Sequence, residues 1–396
     1  MIRIEKPGRA AAPPPRGFAL FALGFRPFYL LASVFAALSV LLWIADYAGL
    51  VSIGYRRNPV WHAHEMLYGY TVAVIAGFLF TAVRNWTSRP TPTGGALAAL
   101  AALWLAGRVL VLTPYPLAAA IVNAAFPIAV AIGIAIPLVG SGNRRNYFFV
   151  ALLAGFACAI LAFHLASAGG VDWPPRAGLQ AGLDIVLFIM AVVAGRVVPM
   201  FTNNGIPGLA AKRNAWVEKF ALGSLLALLA ADALQAGDSL VAALCAIAAL
   251  AHAARVFLWQ PWRTAGVPLV WILHAAYAWI VVHLAMRALA LAGIGSVSLA
   301  THALTIGAIG GLTLGMMTRT SRGHTGLPLK ADRVDTACYV LVMLAAVLRV
   351  FGGLVAAPHY TATVVASGLL WSAAFALFAV RYAPILSRSR ADGKPG

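Results

Sequence analysis

Long apolar stretches dominate the sequence and predict its secondary structure. Twelve windows consist mostly of apolar residues, and each has roughly the 20 residues that a helix needs to cross about 30 Å of hydrocarbon. Short segments that contain Pro, Gly, Asn and Arg connect them. The windows, called spans 1 to 12 below, lie at approximately 24–46, 61–83, 95–112, 117–139, 147–168, 178–200, 215–235, 239–259, 267–290, 297–318, 334–355 and 361–383. The pattern therefore predicts an all-α integral membrane protein with twelve transmembrane helices.

The composition supports this class of protein. Hydrophobic residues make up 62% of the 396 residues and charged residues 10%, whereas soluble proteins contain about 45–50% and about 25%. We expect residues 1–396 to form one transmembrane domain in the lipid bilayer, with polar tails at 1–17 and 384–396. The apolar run behind the first tail is too long for the h-region of a signal peptide, so we expect that tail to remain uncleaved.

The distribution of basic residues predicts the orientation in the membrane. With an even number of spans both tails lie on one side, and 23 of the 29 Lys and Arg residues fall on that side. This asymmetry places both termini in the cytoplasm by the positive-inside rule, and it explains the net charge of +18 without a nucleic-acid partner. The six basic residues on the other, outer side are Arg56, Arg57, Arg108, Arg176, Arg287 and Arg349.

A weak internal repeat has a period of four helices. Spans 2, 6 and 10 end with similar sequence segments, which begin at Gly77, Gly195 and Gly311. The second and third copies share the pattern Gly-x4-Met-x-Thr, and the first matches loosely. Chance similarity among apolar segments is the alternative explanation. The period favours three four-helix arcs, as in the haem-copper oxidase catalytic subunit, which is an analogy of fold that carries no function by itself.

Histidines and carboxylates concentrate near the outer face. Ionisable groups inside a bilayer are costly and usually serve a function. At a rise of 1.5 Å per residue, five histidines and two carboxylates fall in one layer within roughly 10 Å of that face. They are His62, His64, Glu65, His164, Asp184, His283 and His302. By contrast, Asp232 and Asp238 bracket a short turn, and we expect them to be solvated.

The strongest local motif is Trp61-His62-Ala63-His64-Glu65-Met66 at the start of span 2. Helical positions two apart point about 200° from each other, so His62 and His64 should serve different sites. Glu65 stands three residues beyond His62 and can orient its imidazole. The simpler interpretation is a helix start with interfacial polar residues. The presence of three further histidines in the same layer favours a functional role.

Span 10 combines His302 with a glycine stripe at Gly307, Gly311 and Gly315. Such a stripe admits either a closely packed helix or a flat macrocycle. The candidate ligands in this layer are mostly imidazoles, with no thiolate and too few carboxylates for a hard cation. The cofactors that fit such ligands are haem, copper and zinc. Haem propionates need donors, which Arg108, Arg287 or Arg349 can supply, although each is equally explained as a snorkelling arginine.

Two histidines lie deeper. His274 in span 9 and His252 in span 8 can form a second metal site or a proton path, and hydrogen-bonded packing explains His252 equally well. His324 falls in a cytoplasmic segment, where a solvated loop histidine is the expected state.

Several blocks resemble the NnrS family of bacterial membrane proteins over nearly the whole chain. The most specific are the His62-Ala63-His64-Glu65-Met66 and Gly323-His324-Thr325-Gly326 blocks. The others are Gly24-Phe25-Arg26-Pro27-Phe28, the segment from Ala76 to Thr87, the segment from Gly195 to Thr202, and the run from His302 to Arg319. The chain departs from the family pattern at Arg84, where proline is expected.

The resemblance implies an inner-membrane protein that contains haem, expected to be b-type, and copper, and that acts in the response to nitric oxide. It favours His62, His64, Glu65, His274, His302 and His324 as functional residues, with Arg26, Arg84, Arg196 and Arg319 as recurring basic positions. His164 is less well supported by the family pattern, and His283 is not a family position.

From the depths of the residues and from the resemblance we expect two sites. His62 or His64 on one side and His302 on the other should hold the haem iron. Copper, if present, should lie near His164 and the unused histidine of the motif, with Glu65 and Asp184 as orienting carboxylates and His274 in a deeper role.

The first functional hypothesis is a haem-copper protein that lowers nitric oxide toxicity, by binding nitric oxide or by protecting or clearing iron-nitrosyl species. The alternatives are a twelve-span permease for a metal chelate or small metabolite, and a haem-based sensor. The four-helix period and the lack of a long central loop count against a permease.

Overall fold

The computed structural model describes residues 17–51, 59–355 and 357–393, and apart from one isolated bridge between Phe18 and Arg388 every regular element in these ranges is a helix. The predicted segment with Arg56 and Arg57, most of the tail at 1–17, and the last three residues lie outside them. Twelve helical segments follow one another in the described part of the chain. They are α1 Phe25–Tyr47, α2 Val60–Thr87, α3 Gly94–Leu110, α4 Pro116–Gly140, α5 Phe148–Ser167, α6 Pro175–Gly205, α7 Ala215–Ala233, α8 Asp238–Leu258, α9 Pro268–Leu291, α10 Val297–His324, α11 Arg333–Val355 and α12 Tyr360–Ser387.

Ten of these helices in the described residues are long and apolar enough to cross a membrane. The two others are α3, which is apolar but only 17 residues long, and α7, which carries Glu218, Lys219 and Asp232 within its 19 residues. The all-helical membrane architecture agrees with the sequence pattern. The count of twelve spans is not established by length and composition, because of these two helices.

Both ends of the described chain meet at one end of the bundle. The Ala19 amide donates to the Ser387 carbonyl at 2.8 Å, and the fully buried guanidinium of Arg26 donates to the carbonyls of Leu386 and Arg388. This end is called the termini side and the opposite end the far side. Helix α12 continues to Ser387.

Helices α2, α6 and α10 occupy the centre. The buried share of their apolar windows is 83%, 67% and 61%. Helix α9 also reaches 61%, whereas α1, α4, α5, α8, α11 and α12 reach between 33% and 50%. A central helix is covered by protein on every side, so its polar side chains must find partners within the bundle. Helices α2, α6 and α10 are also the ones that contain the internal sequence repeat. Their burial identifies them as the scaffold of any internal site.

Two of the central helices contain a π-helical segment, at Glu65–Thr71 in α2 and at Ala303–Gly310 in α10. Each segment begins directly after a histidine, His64 in α2 and His302 in α10. The wider π turn rotates the following side chains relative to a regular α-helix, and such segments occur frequently at functional sites. The hydrophobic pattern gave no indication of them, because it assumed regular helical periodicity.

The glycine stripe of α10 packs against α9. A Cβ atom at Gly311 would lie 2.6 Å from the Ala276 Cβ, one at Gly315 would lie 2.9 Å from a Leu273 methyl group, and one at Gly307 would overlap the Trp279 ring. Of the two explanations for the stripe, close helix packing is therefore the one that these contacts support.

We expect Gly307→Ala to lower the stability of the bundle by about 1–3 kcal/mol, the usual cost of overpacking a core. The added methyl group would meet the Trp279 ring. Thermal unfolding in detergent measures the change. Gly223→Ala in α7 is the matched control, because a Cβ there meets no atom within 4 Å. Equal melting temperatures for the two variants would contradict the packing argument.

Candidate functional site

A large cavity lies at the far side, between α1, α2, α6, α10, α11 and α12. Its volume is about 420 Å³, within the roughly 300–1,000 Å³ typical of ligand and cofactor pockets. Apolar and aromatic side chains form most of its wall. The polar groups that face it include His62, Tyr70, Thr301, His302, Arg349 and Tyr360. This space is called the His62–His302 cavity.

His302 reaches the cavity from α10 in a fixed orientation. Its Nδ1–H donates to the Ser298 carbonyl at 2.7 Å, one turn earlier in the same helix. This bond uses one ring nitrogen as a donor and leaves the lone pair of Nε2 free to bind a metal. A backbone carbonyl on Nδ1 is a common support for an imidazole that ligates iron or zinc.

His62 reaches the cavity from α2 and is held by stacking. Its ring lies on Trp43 of α1, with the centroids 4.4 Å apart and the planes 25° from parallel. Its Nδ1 is buried and makes no hydrogen bond to any described residue. The two imidazoles of the predicted haem pair thus line the same cavity from two central helices, and the structure selects His62 instead of His64 for this place.

Of the three arginines predicted as propionate partners, Arg349 lines the cavity. It is 8% exposed, and its Nη1 donates to the Tyr360 hydroxyl at 3.1 Å. The other two have carboxylate partners elsewhere, Arg108 with Glu65 and Arg287 with Asp232. The structure therefore places Arg349, and not Arg108 or Arg287, where it can contact a cavity ligand.

His64 belongs to a second polar group, which joins α2, α3, α4 and α5. Its Nδ1 lies 2.7 Å from the Glu65 Oε1, and its Nε2 lies 3.1 Å from the Nε2 of His164. Arg108 pairs with the other Glu65 oxygen at 2.8 Å and donates to the side chain of Asn123. His64, Glu65 and His164 are at most 4% exposed. The structure thus brings together His164 and the second histidine of the motif.

The carboxylate fixes the protonation of this histidine pair. Glu65 is held by Arg108 and acts as an acceptor, so the Nδ1 of His64 carries its proton. The Nε2 lone pair of His64 then points at His164. Glu65 therefore orients His64. Regular helical spacing had predicted that it would orient His62, but a π-helical segment begins at Glu65 and changes that spacing.

Asp184 lies in a third polar group, away from both histidine pairs. Gln180 donates to it at 2.9 Å, and Arg287 lies 3.7 Å from it and 2.6 Å from Asp232. The structure shows no contact between Asp184 and a histidine of either pair. Asp232, expected to be solvated, is ion-paired instead, because the Arg287 side chain of α9 reaches it at the end of α7.

His283 lies one turn from Arg287 on α9 and outside both histidine pairs. Its Nδ1–H donates to the Ala300 carbonyl at 2.7 Å, and its other nitrogen is buried without a hydrogen bond to a described residue.

The deeper histidines have local partners. The Thr202 hydroxyl donates to the Val198 carbonyl, so the Nε2–H of His274 donates to Thr202 at 2.8 Å. His252 is bonded at both nitrogens, to the Tyr277 hydroxyl at 2.6 Å and to the Ala221 carbonyl at 3.1 Å. His252 is therefore a packing residue, and the contacts of His274 place it apart from His164.

His324 lies at the termini side. Its ring is 5.6 Å from the ring of Phe25, and its carbonyl accepts from Arg390. It is partly buried against α1 and is not the solvated loop residue that was expected.

Among the described residues, no group of three or more His, Cys, Asp or Glu side chains is arranged to hold a metal ion. The His64–His164 pair offers two imidazole nitrogens, and the His62–His302 cavity offers two more at its wall. The arrangement provides paired nitrogen ligands and not a closed cage.

Three residues of these sites were not anticipated: Trp43 under His62, Asn123 beside Arg108, and Tyr360 on Arg349. An asparagine and aromatic residues in apolar spans were the only available signal. Their partners come from other helices, so spacing along the chain could not reveal the contacts.

The comparison with known proteins agrees with the motifs in these helices. The family model described as NnrS protein matches residues 19–390, which include every helix named above. No curated protein matches the sequence. Because the match covers most of the chain, the protein belongs to the NnrS family.

Proposed function

We propose that the protein is a bacterial inner-membrane haem-copper protein that binds nitric oxide, or protects against iron-nitrosyl species, at a haem in the His62–His302 cavity. The observation that carries the proposal is the pair of imidazoles on the wall of one cavity of about 420 Å³. Membership of the NnrS family supports the link to nitric oxide.

The residues of the cavity fit a haem group. The Nε2 of His302 has a free lone pair because Nδ1 donates to Ser298, and the unpartnered ring nitrogen of His62 is buried. Arg349 and Tyr360 are suitable donors for the propionates, and the aromatic wall suits a macrocycle. When bound, haem would supply an iron that a diatomic molecule can bind in exchange for one of the two imidazoles.

The chain itself would perform three tasks around that group. His302 and His62 would hold the iron from α10 and α2, and Trp43 would fix the ring plane of His62. Arg349 would neutralise a propionate that otherwise carries charge into the protein. The apolar walls would exclude water from the iron and so favour an uncharged ligand such as nitric oxide.

We propose copper at the His64–His164 pair. Imidazole is a suitable copper ligand, and Glu65 with Arg108 fixes the ring of His64 from behind, as supporting carboxylates do for metal-bound histidines. The carboxylate is already neutralised by Arg108. The site would therefore add little negative charge to the metal.

For the fold we propose twelve transmembrane helices in three four-helix arcs. The pairing of residue 19 with residue 387 requires an even number of crossings. Helices α2, α6 and α10, the second helix of each proposed arc, are among the four most buried of the ten long helices. The short α3 and the charged α7 would then cross with their ends in the interfacial region. The excess of basic residues at the termini side supports cytoplasmic termini.

Replacement of the proposed haem ligand should remove the haem. Replacing a residue that supports a metal ligand typically lowers the affinity for the metal about 10–100-fold. We expect His302→Ala to lower the affinity for haem by more than this, because it removes a direct ligand. The optical spectrum of purified protein, scaled to protein content, measures this. His359→Ala, at an exposed histidine near the far side, should keep the wild-type spectrum.

An unchanged haem spectrum in His302→Ala would exclude this ligand. A colourless wild-type protein would instead favour the permease hypothesis, since a permease has no need of a resident haem.

The copper proposal separates His164 from His274. We expect His164→Ala to lose copper while His274→Ala retains it, because only His164 lies 3.1 Å from His64. Metal analysis of the two variants, with haem content as the internal reference, makes the comparison. Copper lost in the His274 variant and kept in the His164 variant would show that the site lies elsewhere.

Reporter fusions test the orientation. Alkaline phosphatase is active outside the cytoplasm, so we expect activity for fusions after α5 and none after α2 or α6. The reverse pattern would invert the protein in the membrane. It would then place both histidine pairs near the cytoplasmic face.

A further inference from the structure

A second cavity lies in the centre of the bundle, between α1, α2, α6, α9 and α10. Its volume is about 80 Å³. Its walls are apolar side chains of residues on all five helices, among them Val74, Ile75, Ile189, Val193, Leu273 and Met316. This space is called the central cavity. No task proposed above uses it.

The central cavity has few polar groups to hold water. Two hydroxyl residues, Tyr29 and Thr313, belong to its lining, but neither exposes its oxygen to the cavity, whose accessible wall is apolar throughout. The Thr313 hydroxyl donates to the Ile309 carbonyl at 2.6 Å and lies 2.5 Å from the Tyr70 hydroxyl. A buried water needs roughly two to four polar partners. The lining therefore disfavours water and favours an apolar occupant.

The volume of the central cavity limits the size of the molecule that it can hold. An apolar cavity of about 150 Å³ stays dry and binds benzene or xenon, and the central cavity has about half that volume. It is too small for a six-membered ring with substituents and large enough for a single xenon atom or a diatomic gas. The charge-free walls exclude ions.

The Tyr70–Thr313 pair stands between the two cavities. Thr313 lines the central cavity and Tyr70 lines the His62–His302 cavity. The Tyr70 ring packs edge-on against Trp371 and Phe375, with centroid distances of 5.7 and 5.2 Å. One hydrogen-bonded pair thus separates the proposed haem position from an apolar space at the centre of the bundle.

We propose that the central cavity is a binding site for a small, uncharged, apolar molecule of the size of a diatomic gas. Apolar gases dissolve readily in the bilayer that surrounds the protein, so the site can fill from the membrane. The identification of that gas with nitric oxide rests on the proposed function. The existence of the site does not depend on it.

Xenon is the probe for this site, because it matches the size and polarity of a small apolar gas and is located by its anomalous scattering. Crystals of the full-length protein pressurised with xenon should show a xenon atom between α2, α6 and α10, beside Val193. Any xenon in the His62–His302 cavity would appear as a separate peak. Absence of xenon from the central position overturns the proposal.

Two filling variants add a second measurement. Val193→Phe and Ala194→Leu introduce side-chain atoms at positions that line the central cavity. We expect either change to abolish the central xenon peak. The matched control is Ala246→Leu, which adds the same atoms at an exposed position of α8 and should leave the peak unchanged.

Central xenon that persists undiminished in a well-folded filling variant would also overturn the proposal. If neither variant folds, the wild-type crystals decide alone. The outcome is independent of haem: a protein that binds xenon centrally but lacks haem would retain this site and contradict the proposed function.

Discussion

The far-side part of α2 places three titratable side chains within four residues in a helix that is largely covered by protein. His62, His64 and Glu65 cannot be solvated there, and each unpartnered polar group in such a place costs free energy. The packing around α2 supplies what they need: Trp43 from α1, Arg108 from α3 and His164 from α5. A buried ion pair such as Glu65–Arg108 is a poor source of stability in itself, but loss of one partner would leave the other as an isolated buried charge. The positions of α1, α3 and α5 relative to α2 therefore depend on these contacts.

The segment from His62 to Glu65 contributes side chains to two separate polar sites. His62 and His64 are two positions apart, so they point to different sides of α2 and serve two separate groups of residues. One group is the cavity shared with α10, and the other is the dense hydrogen-bonded cluster with His164. The π-helical segments of α2 and α10 begin directly after His64 and His302. They re-aim the following residues, which lets Tyr70 and Thr313 meet between the two cavities.

Small residues on the central helices make room for this arrangement. On α10 the glycine stripe lets α9 approach closely, and on α6 Gly195 leaves space for Arg255, which pairs with Glu218 at 2.6 Å and donates to Tyr277 at 2.7 Å. Arg255 is almost fully buried. The first glycine of each copy of the repeat thus lies where a neighbouring helix or a large side chain comes close. Close packing therefore explains why the glycine recurs.

The sequence by itself determined the helical membrane architecture, the layer in which five of the histidines lie, and the separation of His62 from His64. Apolar length, helical rise and the 100° turn per residue act along the chain, so they can be read from it. The sequence also determined membership of the NnrS family, through contiguous motifs. Only the tertiary structure decided that Glu65 orients His64, that Arg349 and not Arg108 or Arg287 faces the cavity, and that Asp184 pairs with Arg287. Those choices depend on which side chains of other helices fill a given space and on two π turns that break the regular period, and neither is encoded in local spacing.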